Sequence, residues 1–228
     1  MSHRIACLLG IASYLMPTML HADEGEDWGR RTFVGVRAGL SLGNIGGSER
    51  NDPGVDYSYR KGFTGGGILA LRLSRVFSTQ VGLDFVTKGF RADTLFPSTS
   101  GTQYLAYLEI PLLVQASLPF SDTFEPYLNL GPALGILLDS DIRFDDGKFD
   151  ETDRGLRRFD VGLVLGGGGA VNVGRLGALT LEVRYNFGVR NLNTSEVVPE
   201  ALNRAIYLTI GYRADLATLG RLFGGEPR

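Results

Sequence analysis

The sequence predicts an all-β protein: an eight-stranded antiparallel up-and-down transmembrane β-barrel. Three observations carry this. Apolar residues recur at every second position over most of the chain. The connections between these stretches run long and short by turns, and glycines fall repeatedly in the polar phase of the alternation. Period-two alternation marks a strand with two unlike faces. A meander with long loops at one end and tight turns at the other is the plan of a membrane barrel.

Residues 1–22 read as a secretory signal peptide. Arg4 supplies the positive charge, Ile5 to Leu15 is almost wholly apolar, and Pro17 breaks the run. Leu20-His21-Ala22 then ends it ahead of Asp23-Glu24. The apolar stretch is shorter than the roughly 20 residues a spanning helix needs. Cys7 stands too early for a lipoprotein cleavage site. His3, His21 and Cys7 are the only such residues in the chain, so residues 23–228 hold no imidazole and no thiol. Serine–histidine–acid catalysis, thiol catalysis and ordinary zinc sites are excluded there together. So is a disulfide within one chain, although the exported compartment would permit it.

The remainder, residues 23–213, fits a single barrel domain. The chain's 32 glycines suit many tightly turned strands, and its formal charge of −2, without a run of Lys or Arg, excludes a nucleic-acid footprint. The clearest strand is Leu179 to Arg190. Leu179, Leu181, Val183, Tyr185, Phe187 and Val189 share one face, and Thr180, Glu182, Arg184, Asn186, Gly188 and Arg190 share the other. Phe77 to Lys88 repeats the pattern. Eight stretches result: 33–43, 62–73, 77–88, 103–118, 124–138, 158–171, 178–190 and 204–213. Most reach about 10 residues, enough to cross a bilayer core when tilted, and the count is even, as in bacterial single-chain barrels. The long connections are 44–61, 89–102, 139–157 and 191–203; the short ones centre on Ser74-Arg75, Pro119 to Asp122, and Asn172 to Gly177.

Alternation alone does not say which face points outward, since a soluble barrel keeps its apolar residues inside. Two features favour lipid outside. Gly35, Gly39, Gly66, Gly82, Gly131, Gly135, Gly162, Gly188 and Gly211 fall in the polar phase, where small residues suit a narrow crowded lumen. Phe63, Phe77, Phe124, Phe159, Phe187 and Tyr212 gather near strand ends, as interfacial girdles do. The lumen then holds Asp84, Glu109, Asp160 and Glu182 against Arg37, Arg72, Lys88, Arg184, Arg190 and Arg213. Charges in so confined a space are expected to pair. Eight strands leave an interior just wide enough for side chains. The expectation is a filled, salt-bridged lumen with no open channel.

Five segments resemble a known family: Gly35 to Gly39, Tyr107 to Leu113, Leu130 to Gly135, Phe159 to Gly166, and Arg184 to Gly188. Together they look like the small outer-membrane β-barrel, or "porin family", domain of Bacteroidetes-like bacteria, over about Phe33 to Arg213. The resemblance implies an eight-stranded barrel in the outer membrane of a Gram-negative cell envelope and no agreed substrate. Pro111 and Pro132 stand inside strand stretches, where a missing amide donor predicts bulges. Tyr212 in the last strand is followed by a tail, 214–228, in which Leu216, Leu219, Leu222 and Phe223 could line one side of a short helix. That tail and the N-terminus are expected in the periplasm, the helix either resting on the membrane surface or fraying.

Other motifs carry less. Gly166 to Gly169 has the glycine density of a phosphate cradle, but Ala170-Val171-Asn172-Val173 continues as strand and turn where a dinucleotide fingerprint would open a helix. Asp139, Asp141, Asp145, Asp146, Asp150, Glu151 and Asp153 could hold a hard cation, yet their spacing misses the EF-hand pattern and Arg143, Lys148 and Arg154 intervene. Glu109 and Asp160 could be cast as an acid–base pair, though beside so many arginines they read as structural. No enzyme activity, cofactor or metal is expected. The expected partners are outer-membrane lipid and, during insertion, the barrel-assembly machinery; no nucleic acid is expected. The expected role is structural or surface-interacting, through the long loops. The alternatives are a narrow diffusion pore, a lipid-modifying enzyme and a soluble periplasmic ligand-binding barrel.

Overall fold

Eight long antiparallel strands close on themselves: β1 (Thr32–Gly46), β2 (Val55–Arg72), β3 (Phe77–Thr94), β4 (Thr99–Ser117), β5 (Phe124–Phe144), β7 (Phe159–Asn172), β8 (Ala178–Gly188) and β9 (Leu202–Asp215). Each pairs with its sequence neighbour, β1 pairs with β9, and β4–β5 completes the ring. A two-residue β6 (Phe149–Asp150) folds back on β5 opposite Ile142 and Arg143. A short helix, α1 (Leu216–Phe223), follows β9 directly. This computed structural model describes residues 31–47, 54–94, 99–118, 120–144, 149–150, 156–174, 177–192 and 201–223, so the expected signal peptide lies outside the described residues.

The eight strands fall where the alternation places them, but β2 to β5 run well into their loops, and β1 and β9 gain a few residues at each end. β2 starts at Val55 and not near 62, β3 continues to Thr94, β4 starts at Thr99, and β5 continues to Phe144. Much of three expected loops is therefore strand. The reason lies in pairing: the polar residues there alternate with no clear face, yet neighbouring strands still satisfy each other's backbone groups through registers such as Ala92↔Gly101 and Thr102↔Arg143. The result is a lopsided barrel, with strands of 18, 18, 19 and 21 residues on one side and 14, 11 and 14 for β7 to β9.

The turn end is tight. Ser74 Oγ accepts the Phe77 amide at 3.0 Å, and Ser121 Oγ accepts the Phe124 amide at 3.0 Å. The β7–β8 turn uses Gly174 and Gly177, with φ of +66° and +129°, a conformation that side chains resist.

The prolines do not produce the expected bulges. Register is unchanged across them: Ile110↔Leu134 and Pro111↔Ala133 resume as Val114↔Leu130, with the intervening pairs left out. The ladder loses partners locally and does not slip. Register shifts fall elsewhere, between Tyr59 and Thr64 on β2 and between Ala106 and Tyr107 on β4, where the strands outgrow the apolar band.

The apolar phase faces outward. Leu181 is 56% exposed while Glu182 beside it is 5% exposed, and Val36, Leu83, Leu130, Leu163, Val183 and Ile210 continue the outer belt around the ring. So large an apolar surface belongs against lipid. On β3 the belt runs from Phe77 to Phe85, about the number of residues a tilted strand needs to cross a bilayer core. Aromatics mark the edges of this belt more than the strand ends: Phe63 lies mid-way along β2 because that strand overshoots the membrane.

A charge on the belt should be costly, and most costly at mid-height. Leu181→Arg is expected to lower stability by about 2–4 kcal/mol in denaturant titrations in lipid. Arginine in place of exposed Leu216, beyond the strands, should change it little.

Candidate functional site

The candidate site is the lumen, and the rows of the sheet explain its contents. Reading around the ring through paired residues gives Gly211, Arg37, Gly66, Asp84, Glu109, Gly135 and Asp160. Glycines stand between charged residues. Gly66, directly between Arg37 and Asp84, leaves the space those two side chains use; a Cβ there would lie 2.5 Å from Asp84 Oδ1. A Cβ on Gly82 would lie 2.9 Å from the Arg37 guanidinium. The glycine run of β7 follows the same rule: Gly166 makes room for Arg184 and Gly168 for the Tyr127 hydroxyl. It is paired on both sides within the barrel and cradles no phosphate.

Three charged layers fill the space thus left. Midway, Arg37 grips Asp84 with two bonds, Nη2–Oδ2 at 2.6 Å and Nε–Oδ1 at 3.1 Å. Arg37 also lies 3.6 Å from Glu182, and Arg184 lies 3.5 Å from Asp84. Arg184 Nε sits 2.8 Å from Glu182 Oε1 but off the hydrogen-bond direction, so that contact is coulombic. Asn129 donates to Glu182 at 2.5 Å.

Towards the loop end, Lys88 Nζ lies 2.5 Å from Glu109 and 3.6 Å from Asp160. Tyr207 donates to Glu109 at 3.0 Å, Asn186 donates to it at 3.1 Å, and Asn203 donates to Asp160 at 2.8 Å. The two carboxylates thus share one ammonium, which leaves neither poised as an acid–base pair. Towards the turn end, Arg72 and Arg213 converge on Glu125 at 2.9 and 3.1 Å, both over the ring of Phe33.

These ten side chains balance: five cations (Arg37, Arg72, Lys88, Arg184, Arg213) and five anions (Asp84, Glu109, Glu125, Asp160, Glu182). Neutrality is what a confined low-dielectric interior demands.

Above the Lys88 layer the lumen turns apolar. Ile45, Leu105, Tyr107, Leu137, Leu192 and Ala201 form a buried cluster, with Tyr57, Phe90 and Leu156 packed against it. Leu192 is tied in by backbone bonds to Arg157 and Ala201. At the opposite end lies a vestibule of 1110 Å³, bounded by Arg72, Glu125, Arg213 and the start of α1. On the outside of the loop end, Arg60 and Arg143 flank the Tyr104 ring at 4.0 and 4.7 Å. There Asp93 sits below its ordinary carboxylate value, held by a hydrogen bond from Ser100 and by Arg91.

Of the ten residues expected on the polar face, Arg37, Asp84, Lys88, Glu109, Asp160, Glu182, Arg184 and Arg213 are buried inward, and Arg72 is half-buried at the vestibule. Arg190 is not among them. β8 stops at Gly188 because its last β9 partner is Arg204, opposite Phe187, and Arg190 lies exposed beyond it. Glu125 was missing from that set, although its phase with Tyr127 and Asn129 on β5 places it inward. Of the acidic loop, Asp139 and Asp141 lie on β5, where Asp141 pairs with Arg143 at 2.9 Å; Asp145, Asp146, Glu151 and Asp153 lie outside the described residues.

A closed antiparallel ring with an apolar exterior and a charged, neutral interior defines a class: the transmembrane β-barrel of the outer membrane. The chain belongs to the outer membrane protein beta-barrel domain family, whose model matches residues 21–193. It is thus an integral outer-membrane protein surrounded by lipid. Among solved structures it is similar to Neisserial surface protein A (NspA), with a TM-score of 0.48 and 18% identity over 81% of this chain and 97% of that one. It is also similar to OprG from Pseudomonas aeruginosa, with a TM-score of 0.48 and 14% identity over 80% and 95%. A third is Ail of Yersinia pestis in complex with the heparin analogue sucrose octasulfate, with a TM-score of 0.42 and 13% identity over 80% and 98%. No curated protein matches the sequence.

The Lys88 layer offers a direct test of how dry the lumen is. Lys88→Met leaves Glu109 and Asp160 without their cation and is expected to cost about 3–5 kcal/mol in unfolding from lipid. Adding Glu109→Gln should recover part of that loss. A single variant within about 1 kcal/mol of the parent would mean that water screens the layer.

Proposed function

We propose that the protein is a closed outer-membrane scaffold with a structural or surface-interaction role, carried by the loops and strand extensions at its loop end. The observation that supports this reading is the filling of the lumen: three charged layers, neutral in sum, followed by an apolar layer centred on Leu105 and Tyr107. A pore would need these layers to part, and each ion pair so separated would leave a buried charge. The chemistry available also favours a scaffold over an enzyme. Residues 23–228 offer no histidine or cysteine, and the Glu109 and Asp160 carboxylates are occupied by Lys88.

In this reading the turn end and α1 face the periplasm, the loops face outward, and residues 1–22 are removed on export. The five strand signatures support placing the domain with the porin-family barrels of the Bacteroidetes-like type. Insertion would proceed through the barrel-assembly machinery, for which Tyr212 in β9 supplies the usual aromatic of a last strand. The vestibule favours one rival, a narrow diffusion pore, since it already opens the turn end of the lumen to water.

Planar-bilayer recording separates the two. The purified barrel should show no reproducible current steps. Steps of constant size, altered by Lys88→Met, would make it a pore gated by that layer.

A further inference from the structure

We propose that α1 is a membrane-surface anchor: its Leu219 side lies against the lipid leaflet at the turn end, while its Ala217 side faces the vestibule. Geometry limits where this helix can be. It follows β9 with no linker, and Asp215 caps it, its Oδ1 accepting the Ala217 amide at 2.8 Å and the Thr218 amide at 3.3 Å. Tyr212, three residues upstream, sits beside lipid-facing Leu179 at the lower edge of the apolar belt. Three extended residues span about 10 Å, so the helix begins at the membrane surface and cannot leave it.

The two sides of the helix meet different surroundings. Leu216, Ala217 and Thr218 line the vestibule; Leu219 does not. Leu219 is half-buried, on the side of the helix away from exposed Ala217. An eight-residue helix is about 12 Å long, too short to span anything, but a short amphipathic helix tethered at an interface needs little area to stay there. The occupant is lipid because the helix packs beside the ends of β1 and β9, whose outer faces are lipid-covered.

The low cysteine content makes the test clean. In a Cys7→Ser background, Leu219→Cys and Ala217→Cys each carry a single thiol for an environment-sensitive fluorophore. The labelled barrels are refolded into phosphatidylethanolamine–phosphatidylglycerol vesicles with and without brominated acyl chains, and folding is checked by the gel shift on boiling. The probe at 219 should be quenched by brominated lipid roughly twofold or more beyond the probe at 217, and the probe at 217 should be the one quenched by iodide. Equal lipid quenching at both sites, or iodide quenching at 219, overturns the proposal. Self-quenching at 219 that rises with protein density would instead assign the face to a second copy, and overturns it equally. Should Leu219→Cys fail to fold, Leu219→Trp and Ala217→Trp in a Trp28→Phe background take the place of the labelled pair, read by their own quenching with the same criteria.

Discussion

An eight-stranded ring is so narrow that each inward side chain must share its space with those of strands across the ring. The Arg37–Asp84 pair shows how this is met. The two residues stand on strands separated by β2, and they touch only because Gly66 puts no side chain between them. Remove the space and the charges separate; remove one charge and its partner is left buried. Glycine placement and charge placement are thus one constraint, and the Lys88 layer repeats it at Gly135, where a Cβ would lie 3.2 Å from Asp160 Cβ.

The same wall faces two solvents. Outward, every second residue meets hydrocarbon; inward, the alternate residue meets a neutral polar lattice. Backbone pairing is complete enough around the ring that neither face has to supply it. The inner face can therefore be specialised by height: an aqueous vestibule at the turn end, ion pairs through the middle, and an apolar layer at the loop end.

Much of this was legible in the sequence where period-two alternation is strong. The eight strands, the direction of each face and nine of the ten expected polar-face residues follow from phase alone. Legibility failed where phase no longer carries information. Above the membrane the residues of β2 to β5 have no strongly preferred side, so strand and loop look alike, and only pairing between distant segments makes them strand. Arg190 keeps the phase of β8 but lies beyond the last residue that β9 pairs. Proline predicted a bulge where the ladder merely skips, because a barrel strand shares its bonds with two neighbours. Glu125 lay in phase but beside a turn, and the tyrosines and asparagines that bond Glu109 and Asp160 carry no charge pattern to reveal them.

The lopsided height of the barrel sets how its outer rim can change over evolutionary time. On the tall side, β2 to β5 are hydrogen-bonded to their tips, so a single inserted residue would swap inward and outward faces above it. Growth there must come two residues at a time, in neighbouring strands together. On the short side, β7 to β9 carry less paired length above the belt for that rule to govern.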